Sequence, residues 1–315
     1  MRIVFMGTPE FAVPSLRRIV AAEDGFDVVL VVTGQDKPRR KQHDKPEFSP
    51  VKKAAIELGL NVYETDDPSS SAFADAVAAA RPEVIVVAAF RILPPEVYNL
   101  ASSGAFNLHA SLLPAYRGAA PINWAIIRGE TVTGITTFFL QERVDTGSII
   151  LTREVPLLHE DNATTLAGRL SEEGASLVVE TLRAIAAGSV RLRQQDDRLA
   201  SKAPKLTREN TRIRWDSPAS DLCNFIRGLA MKPAAWTTFN GKNMKVFRAA
   251  HAGDNRAGGG VPGTVLIYDG RLLVSVGDGW IEILQLQLEG KKIMDASEFL
   301  RGFRQNEYPQ PLVLV

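Results

Sequence analysis

Residues 84–89 read Val-Ile-Val-Val-Ala-Ala, an apolar run with no polar residue in it. A strand with one face in water alternates apolar and polar side chains; a strand covered on both faces does not. The run therefore predicts the centre of a sheet with helices on both sides. The flanking sequence agrees. Residues 3–6 are a short apolar run ending at Gly7, and Val13, Leu16, Ile19 and Val20 then recur at helical spacing. Residues 28–32 predict a second strand, Pro50 starts a helix, a short strand lies near 61–63, and an alanine-rich helix spans 72–80. Strands alternating with helices define an α/β class with a Rossmann-like, mostly parallel, doubly wound sheet. The opening strand, glycine turn and helix resemble a nucleotide site, yet neither Gly-x-Gly-x-x-Gly nor Gly-x-x-x-x-Gly-Lys is present.

A second buried run, Ala105-Phe106, continues into Asn107-Leu108-His109-Ala110-Ser111-Leu112-Leu113-Pro114. Alternate side chains of an extended chain share a face, so Asn107, His109 and Ser111 line one wall if the strand reaches that far. Leu108 points the other way, into a core. Polar groups at the carboxyl end of a buried parallel strand stand where open α/β sheets place ligands. The same residue types also serve as locally hydrogen-bonded loop anchors. Two features favour a site. The small-residue stretch 115–121 leaves room for a ligand, and the turn Val144-Asp145-Thr146-Gly147 offers a carboxylate to orient His109. Further on, the pattern predicts a helix over 121–128 with Trp124 and Ile127 inward. It also predicts β-structure at 134–140 and 148–155, and a long amphipathic helix over 164–187.

Three hundred and fifteen residues suffice for two domains. The character changes near residue 190, which divides the chain into a first domain at 1–189, a polar linker at 190–205 and a second domain at 206–315. Beyond 206, short strands are broken by hairpin-type pairs, Asn240-Gly241 and Asp269-Gly270, as in a small OB-like β-barrel. With a formal net charge of +1, any attraction to nucleic acid must come from local patches. Two stand out. Residues 37–53 carry seven Lys or Arg against two acids, and residues 202–248 carry ten against three. Each is read either as a solvated surface or as a phosphate-contacting one. The single cysteine, Cys223, forms no intrachain disulfide and suits a reducing cytoplasm. Four histidines without ligand spacing predict no metal site. No apolar run is long enough for a membrane span.

The blocks Asn107-x-His109-x-Ser111-Leu112-Leu113-Pro114, Arg117-Gly118-Ala119-Ala120-Pro121-Ile122 and Asp145-Thr146-Gly147 together resemble the folate-dependent formyltransferases. Met6-Gly7-Thr8-Pro9-Glu10-Phe11-Ala12 and Ser49-Pro50-Val51-Lys52 bring the resemblance nearest to the branch acting on methionyl-tRNA. Ile226-Arg227-Gly228-Leu229 and Pro233-Ala234-Ala235-Trp236 extend it into the second domain. The resemblance implies transfer of a formyl group from 10-formyltetrahydrofolate to the free amino group of methionyl initiator tRNA, by a cytoplasmic monomer without a metal. It implies catalytic roles for Asn107, His109 and Asp145. Folate contacts are implied for Ser111, Leu112, Leu113 and Pro114, and for the loop holding Phe90, Ile92 and Leu93. Contacts to tRNA are implied for Lys37, Arg39, Arg40 and Lys41, and for Lys205 and Arg208. Asn107 and a ring N–H of His109 would donate to the developing oxyanion, with Asp145 orienting the ring, and either His109 or Asp145 through a water would carry the amine's proton to the leaving nitrogen. The same core serves a formyltransferase for an amino-sugar nucleotide or another small amine, which has no need of the basic segments. A formyltetrahydrofolate hydrolase and an RNA-binding adaptor are further alternatives.

Overall fold

The run at 84–88 forms the strand it predicts, and every side chain in it is buried. The computed structural model describes residues 1–36, 47–253, 260–303 and 311–315; Lys37, Arg39, Arg40 and Lys41 lie outside these. In chain order the elements are β1 (Arg2–Gly7), α1 (Val13–Ala21), β2 (Asp27–Thr33), α2 (Pro50–Glu57), β3 (Val62–Glu64), α3 (Ser71–Ala80), β4 (Val84–Ala88), α4 (Pro95–Tyr98), β5 (Ala105–His109), β6 (Arg117–Gly118), α5 (Pro121–Ile127), β7 (Val132–Phe139), β8 (Ile149–Pro156), α6 (Ala163–Ala186) and β9 (Lys202–Ala203). There follow α7 (Ala219–Leu229), β10 (Ala235–Phe239), β11 (Lys242–His251), β12 (Val265–Tyr268), β13 (Arg271–Val276), β14 (Gly279–Leu288), β15 (Met294–Asp295) and α8 (Ala296–Arg301).

The chain divides into two compact units. The first comprises Met1–Pro121, Val132–Pro156 and Ala167–Ala203; the second comprises Ile122–Thr131, Leu157–Leu166 and Pro204–Val315. Most of the polar stretch expected as a linker, residues 190–203, thus falls within the first unit.

The first unit is built on a seven-stranded sheet in the order β3-β2-β1-β4-β5-β7-β8. The pairs among the first five strands are parallel, and β7 and β8 complete the edge antiparallel. It is the mostly parallel, doubly wound sheet expected. On one face Val4, Met6, Ile85 and Val87 pack with Phe73 and Val77 of α3 and Val97 of α4. The opposite face carries Leu108 and its register partner Thr137, whose hydroxyl lies 2.8 Å from that of Thr181 on α6. The helix starts follow local chemistry. Ser49 caps α2 by accepting from the Lys52 N–H at 3.0 Å, and Pro50 occupies the first turn, where its missing donor costs nothing.

The second unit holds an antiparallel sheet in the order β10-β11-β14-β13-β12, with β15 beside β14. Asn240-Gly241 and Asp269-Gly270 both turn as anticipated, with positive φ at each residue as a type I′ hairpin requires. Residues 312–315 close the barrel. Val265 N–H donates to the Leu312 carbonyl at 2.8 Å on one edge, and Thr238 N–H donates to the Val315 carbonyl at 2.7 Å on the other. The core packs Leu222, Ile226 and Leu229 of α7 against Val246, Val274 and Ile281. In α5 the buried residues are Ala125 and Ile126, one position off the expected pair. Trp124 sits at the edge because its indole N–H donates to the Pro204 carbonyl at 2.8 Å, and Ile127 is half-buried against the second unit's core.

Phe106 is fully buried on the sheet face opposite Asn107. Phe106→Ala is expected to cost the first unit about 3–5 kcal/mol, read as a lower urea midpoint for its transition.

Candidate functional site

β5 lies between β4, to which it is parallel, and β7, to which it is antiparallel. At its carboxyl end Asn107 and His109 project from one face, separated by about 7 Å, two residues of strand rise. The strand stops at His109. Ser111 therefore leaves the wall expected of it: its hydroxyl is fully buried and donates to the Ala115 carbonyl at 2.6 Å, tightening the turn.

His109 is 5% exposed, and its ring is fixed on three sides. Phe138 meets it edge to face, with centroids 6.4 Å apart. Nε2 lies 2.9 Å from the Tyr116 carbonyl. A carbonyl only accepts, so Nε2 carries the proton and donates. Nδ1 faces Asp145 Oδ1 at 3.8 Å, too long for a hydrogen bond but in ion-pair range once the ring is charged. Of the two roles expected of the ring, this geometry suits proton transfer. The N–H anticipated for an oxyanion is given to Tyr116, and the nitrogen left for chemistry is Nδ1. In the neutral ring Nδ1 is an acceptor beside a carboxylate, the arrangement of a general base.

Asp145 reaches the ring because its own backbone is left-handed, at φ 55°, and because Gly118 N–H donates to its Oδ2 at 2.8 Å. Gly118 adopts φ 126°, and a Cβ there would stand 2.6 Å from the Ala203 carbonyl oxygen. Gly147 is equally constrained: a Cβ would lie 1.7 Å from the Phe139 carbonyl oxygen. The glycines of both motif blocks are thus there for close backbone approach. The Asn107 carboxamide is half-buried and makes no hydrogen bond among the described residues, which leaves its N–H donors for a ligand.

The remaining expected residues are dispersed. Leu113 packs inward with Phe138 and Ile149. Leu112 packs beside Gly134, Leu93 is buried, Phe90 and Pro114 are half-buried, and Ile92 is 73% exposed. Lys205 and Arg208 are exposed on the second unit, where the Arg208 guanidinium lies 4.2 Å from the centroid of Trp236. Lys52, counted with the basic segment, turns inward. Burial opposes its charge, but hydrogen bonds to Asp36 and Glu64 prevail and raise its pKa above the ordinary lysine value. Residues that sequence reasoning missed here are Tyr116, acting through its carbonyl, and Thr136. The Thr136 hydroxyl donates to the Ser111 carbonyl at 2.7 Å and accepts from Leu113 N–H at 3.2 Å. A main-chain acceptor leaves no signature in side-chain chemistry. Among the described residues no three His, Cys, Asp or Glu gather as a metal site requires, and no helix is long and apolar enough to cross a membrane.

An amide, an imidazole and a carboxylate converging at the carboxyl edge of a doubly wound sheet, with a separate β-unit, define a group-transfer enzyme of the formyl transferase type. The family model described as "Formyl transferase" matches residues 1–182, and that described as "Formyl transferase, C-terminal domain" matches residues 205–304. The chain belongs to the formyl transferase family. It is 67% identical over 318 residues to the methionyl-tRNA formyltransferase of Chlorobium limicola, with 100% of each chain covered. It is 61% identical over 305 residues to that of Chlorobium luteolum, covering 96% of this chain and 97% of the relative. Among solved structures, the N-formyltransferase from Helicobacter canadensis, in complex with folinic acid and dTDP-3-aminofucose, shares the fold. Its TM-score is 0.66 at 19% identity, with 89% of this chain and 98% of that one covered.

Gly118→Ala should push the Asp145-holding N–H away from the carboxylate. The expected outcome is a loss of about 1–3 kcal/mol of stability, measured by thermal unfolding, with a larger proportional loss of formyl transfer.

Proposed function

We propose that the protein transfers the formyl group of 10-formyltetrahydrofolate to the α-amino group of methionyl initiator tRNA. The observation that carries this reading is the meeting of Asn107, His109 and Asp145 at one strand end, supported by relatives of that activity along the whole chain. The folate supplies an acyl carbon already bonded to a leaving nitrogen. The residues present suit it. Ile92 offers exposed apolar surface, the Asn107 amide has uncommitted donors, and the chain at 111–114 is stiffened from behind by Thr136. Because Ser111 and Leu113 are turned inward, the contacts from that stretch come from the main chain, Leu112 and Pro114.

Asn107 donates to the formyl oxygen as negative charge gathers there during attack by the amine. His109 takes the amine's surplus proton on Nδ1. The resulting imidazolium is held between two acceptors, the Tyr116 carbonyl and the Asp145 carboxylate, before the proton passes to the leaving nitrogen. Asp145 orients the ring, its other oxygen accepting from Gly118 N–H.

The RNA side of the reading rests on exposed basic groups. Lys205 and Arg208, with the Arg208–Trp236 pair, form a cationic and aromatic face on the second unit. Lys37, Arg39, Arg40 and Lys41 contribute charge from the first. Lys52 does not, since its ammonium is neutralised by Asp36 and Glu64. The reading includes a cytoplasmic monomer, and the single cysteine suits a reducing compartment.

Asn107→Ala, His109→Ala and Asp145→Ala are each expected to lower kcat by about 10²–10³-fold in protein that still folds, with lowered unfolding midpoints for His109→Ala and Asp145→Ala, whose buried contacts are lost. The assay is transfer of labelled formyl from 10-formyltetrahydrofolate to methionyl initiator tRNA, run beside a panel of small amines. Near-normal turnover by His109→Ala, or better turnover with a small amine, would end the proposal. Arg208→Ala is expected to weaken tRNA binding and to flatten its logarithmic salt dependence by about 0.7–0.9, as filter binding across a salt series reads it.

A further inference from the structure

We infer that Gln195, in the polar stretch between the family's two domains, is a positioning residue for Asp145. The inference rests on the reading of Asp145 as catalytic. Gln195 stands 50 residues beyond Asp145, and its carboxamide is used completely. Nε2 donates to the Asp145 carbonyl at 2.9 Å and to the Gly147 carbonyl at 2.8 Å. Oε1 accepts from Arg117 Nε at 3.0 Å and from Nη2 at 2.8 Å. Two donors and two lone pairs are the whole capacity of an amide. Its orientation is therefore determined, because the flipped amide would set oxygen against two carbonyl oxygens.

The bond to the Asp145 carbonyl acts where it matters. Asp145 is a left-handed, non-glycine residue, and such a backbone persists only where its surroundings hold it. Rotation of that peptide would swing the carboxylate away from Nδ1 of His109. Gln195 grips the peptide plane on the far side of the turn while Gly118 grips the carboxylate. Arg117 joins the two grips. It is the residue next to Gly118, its guanidinium is bidentate on Gln195, and its remaining Nη1 pairs with Asp197 Oδ1 at 2.8 Å.

The rest of the stretch fastens the other loop of the site. Tyr116 N–H donates to Ser201 Oγ at 2.9 Å and Arg117 N–H to the Ser201 carbonyl at 2.9 Å, and β6 pairs with β9. Tyr116 is the residue whose carbonyl receives the His109 Nε2 proton. Residues 195–203 thus tie the loop that holds the imidazole to the turn that holds the carboxylate, and Gln195 is the point of contact with Asp145 itself. A misplacement of about 1 Å in such a group costs on the order of a hundredfold in rate.

The test measures kcat and KM for both substrates in Gln195→Met, which removes all four hydrogen bonds at near-constant volume. Gln195→Glu, which retains the acceptor toward Arg117 and loses both donors, is measured beside it. Each is made in the parent and in an Asp145→Asn background. In the parent, each is expected to lower kcat at least about tenfold, with KM changed by less than about twofold. In Asp145→Asn, Gln195→Met is expected to change the residual single-turnover rate less than about twofold, since the group it positions is already neutralised. An equal proportional loss in both backgrounds would mean general scaffolding and overturn the inference. So would parental kcat in Gln195→Met while Asp145→Asn is inactive. Full activity of Asp145→Asn would instead remove the catalytic reading of Asp145, and the positioning role with it.

Discussion

A buried imidazole must have both nitrogens accounted for, and at His109 that requirement draws three parts of the chain together. The ring is set by β5, its Nε2 proton goes to the Tyr116 carbonyl, and its Nδ1 faces the Asp145 carboxylate. Neither acceptor sits in a relaxed backbone: Tyr116 and Asp145 are both left-handed, at φ 61° and 55°. Such conformations cost about 1–3 kcal/mol each. The loops carrying them are correspondingly over-determined, by Gly118, Gln195 and Ser201. The stability spent there holds two acceptors in place around the buried ring. Preorganisation of this kind avoids reorganising the site in the transition state.

The sheet supplies the platform. Parallel strands buried on both faces end together at one edge, and the loops leaving that edge carry polar groups that a core does not tolerate. β4 and β5 end side by side, which brings the loop at 89–94 next to the strand end bearing Asn107 and His109. β7 runs antiparallel to β5 and ends toward its amino end, where Leu140 N–H donates to the Ala105 carbonyl at 2.7 Å; the segment joining β7 to β8 then carries a carboxylate, that of Asp145, back to His109.

The second unit uses a different logic. Its antiparallel strands form a hairpin, β10-β11, and a meander, β12-β13-β14, joined by the long-range β11–β14 pairing and closed into a barrel by residues 312–315. Its exterior is where its basic side chains stand, Arg208 supported by the face of Trp236. Chemistry is thereby assigned to a stiff sheet edge and cationic surface to a hairpin scaffold.

Much of this was legible in the chain itself. The uniform apolar run at 84–88, the alternation of strands and helices, and the Asn-Gly and Asp-Gly turns are local properties, each governed by a period or a φ preference that neighbouring residues express alone. Asn107 and His109 were legible together for the same reason: a strand has period two, so positions 107 and 109 share a face wherever the strand lies. The reach of the strand was not, because the turn at Ser111 depends on the carbonyl of Ala115 and on Thr136 of a neighbouring strand. Lys52 was counted as surface charge, because only tertiary folding brings Asp36 and Glu64 to it. The state of His109 and the part played by Gln195 belong to tertiary structure altogether. The deciding groups are backbone carbonyls and an amide 50 residues from its partner. Main-chain acceptors are common to every residue, and only their arrangement in space makes one of them specific.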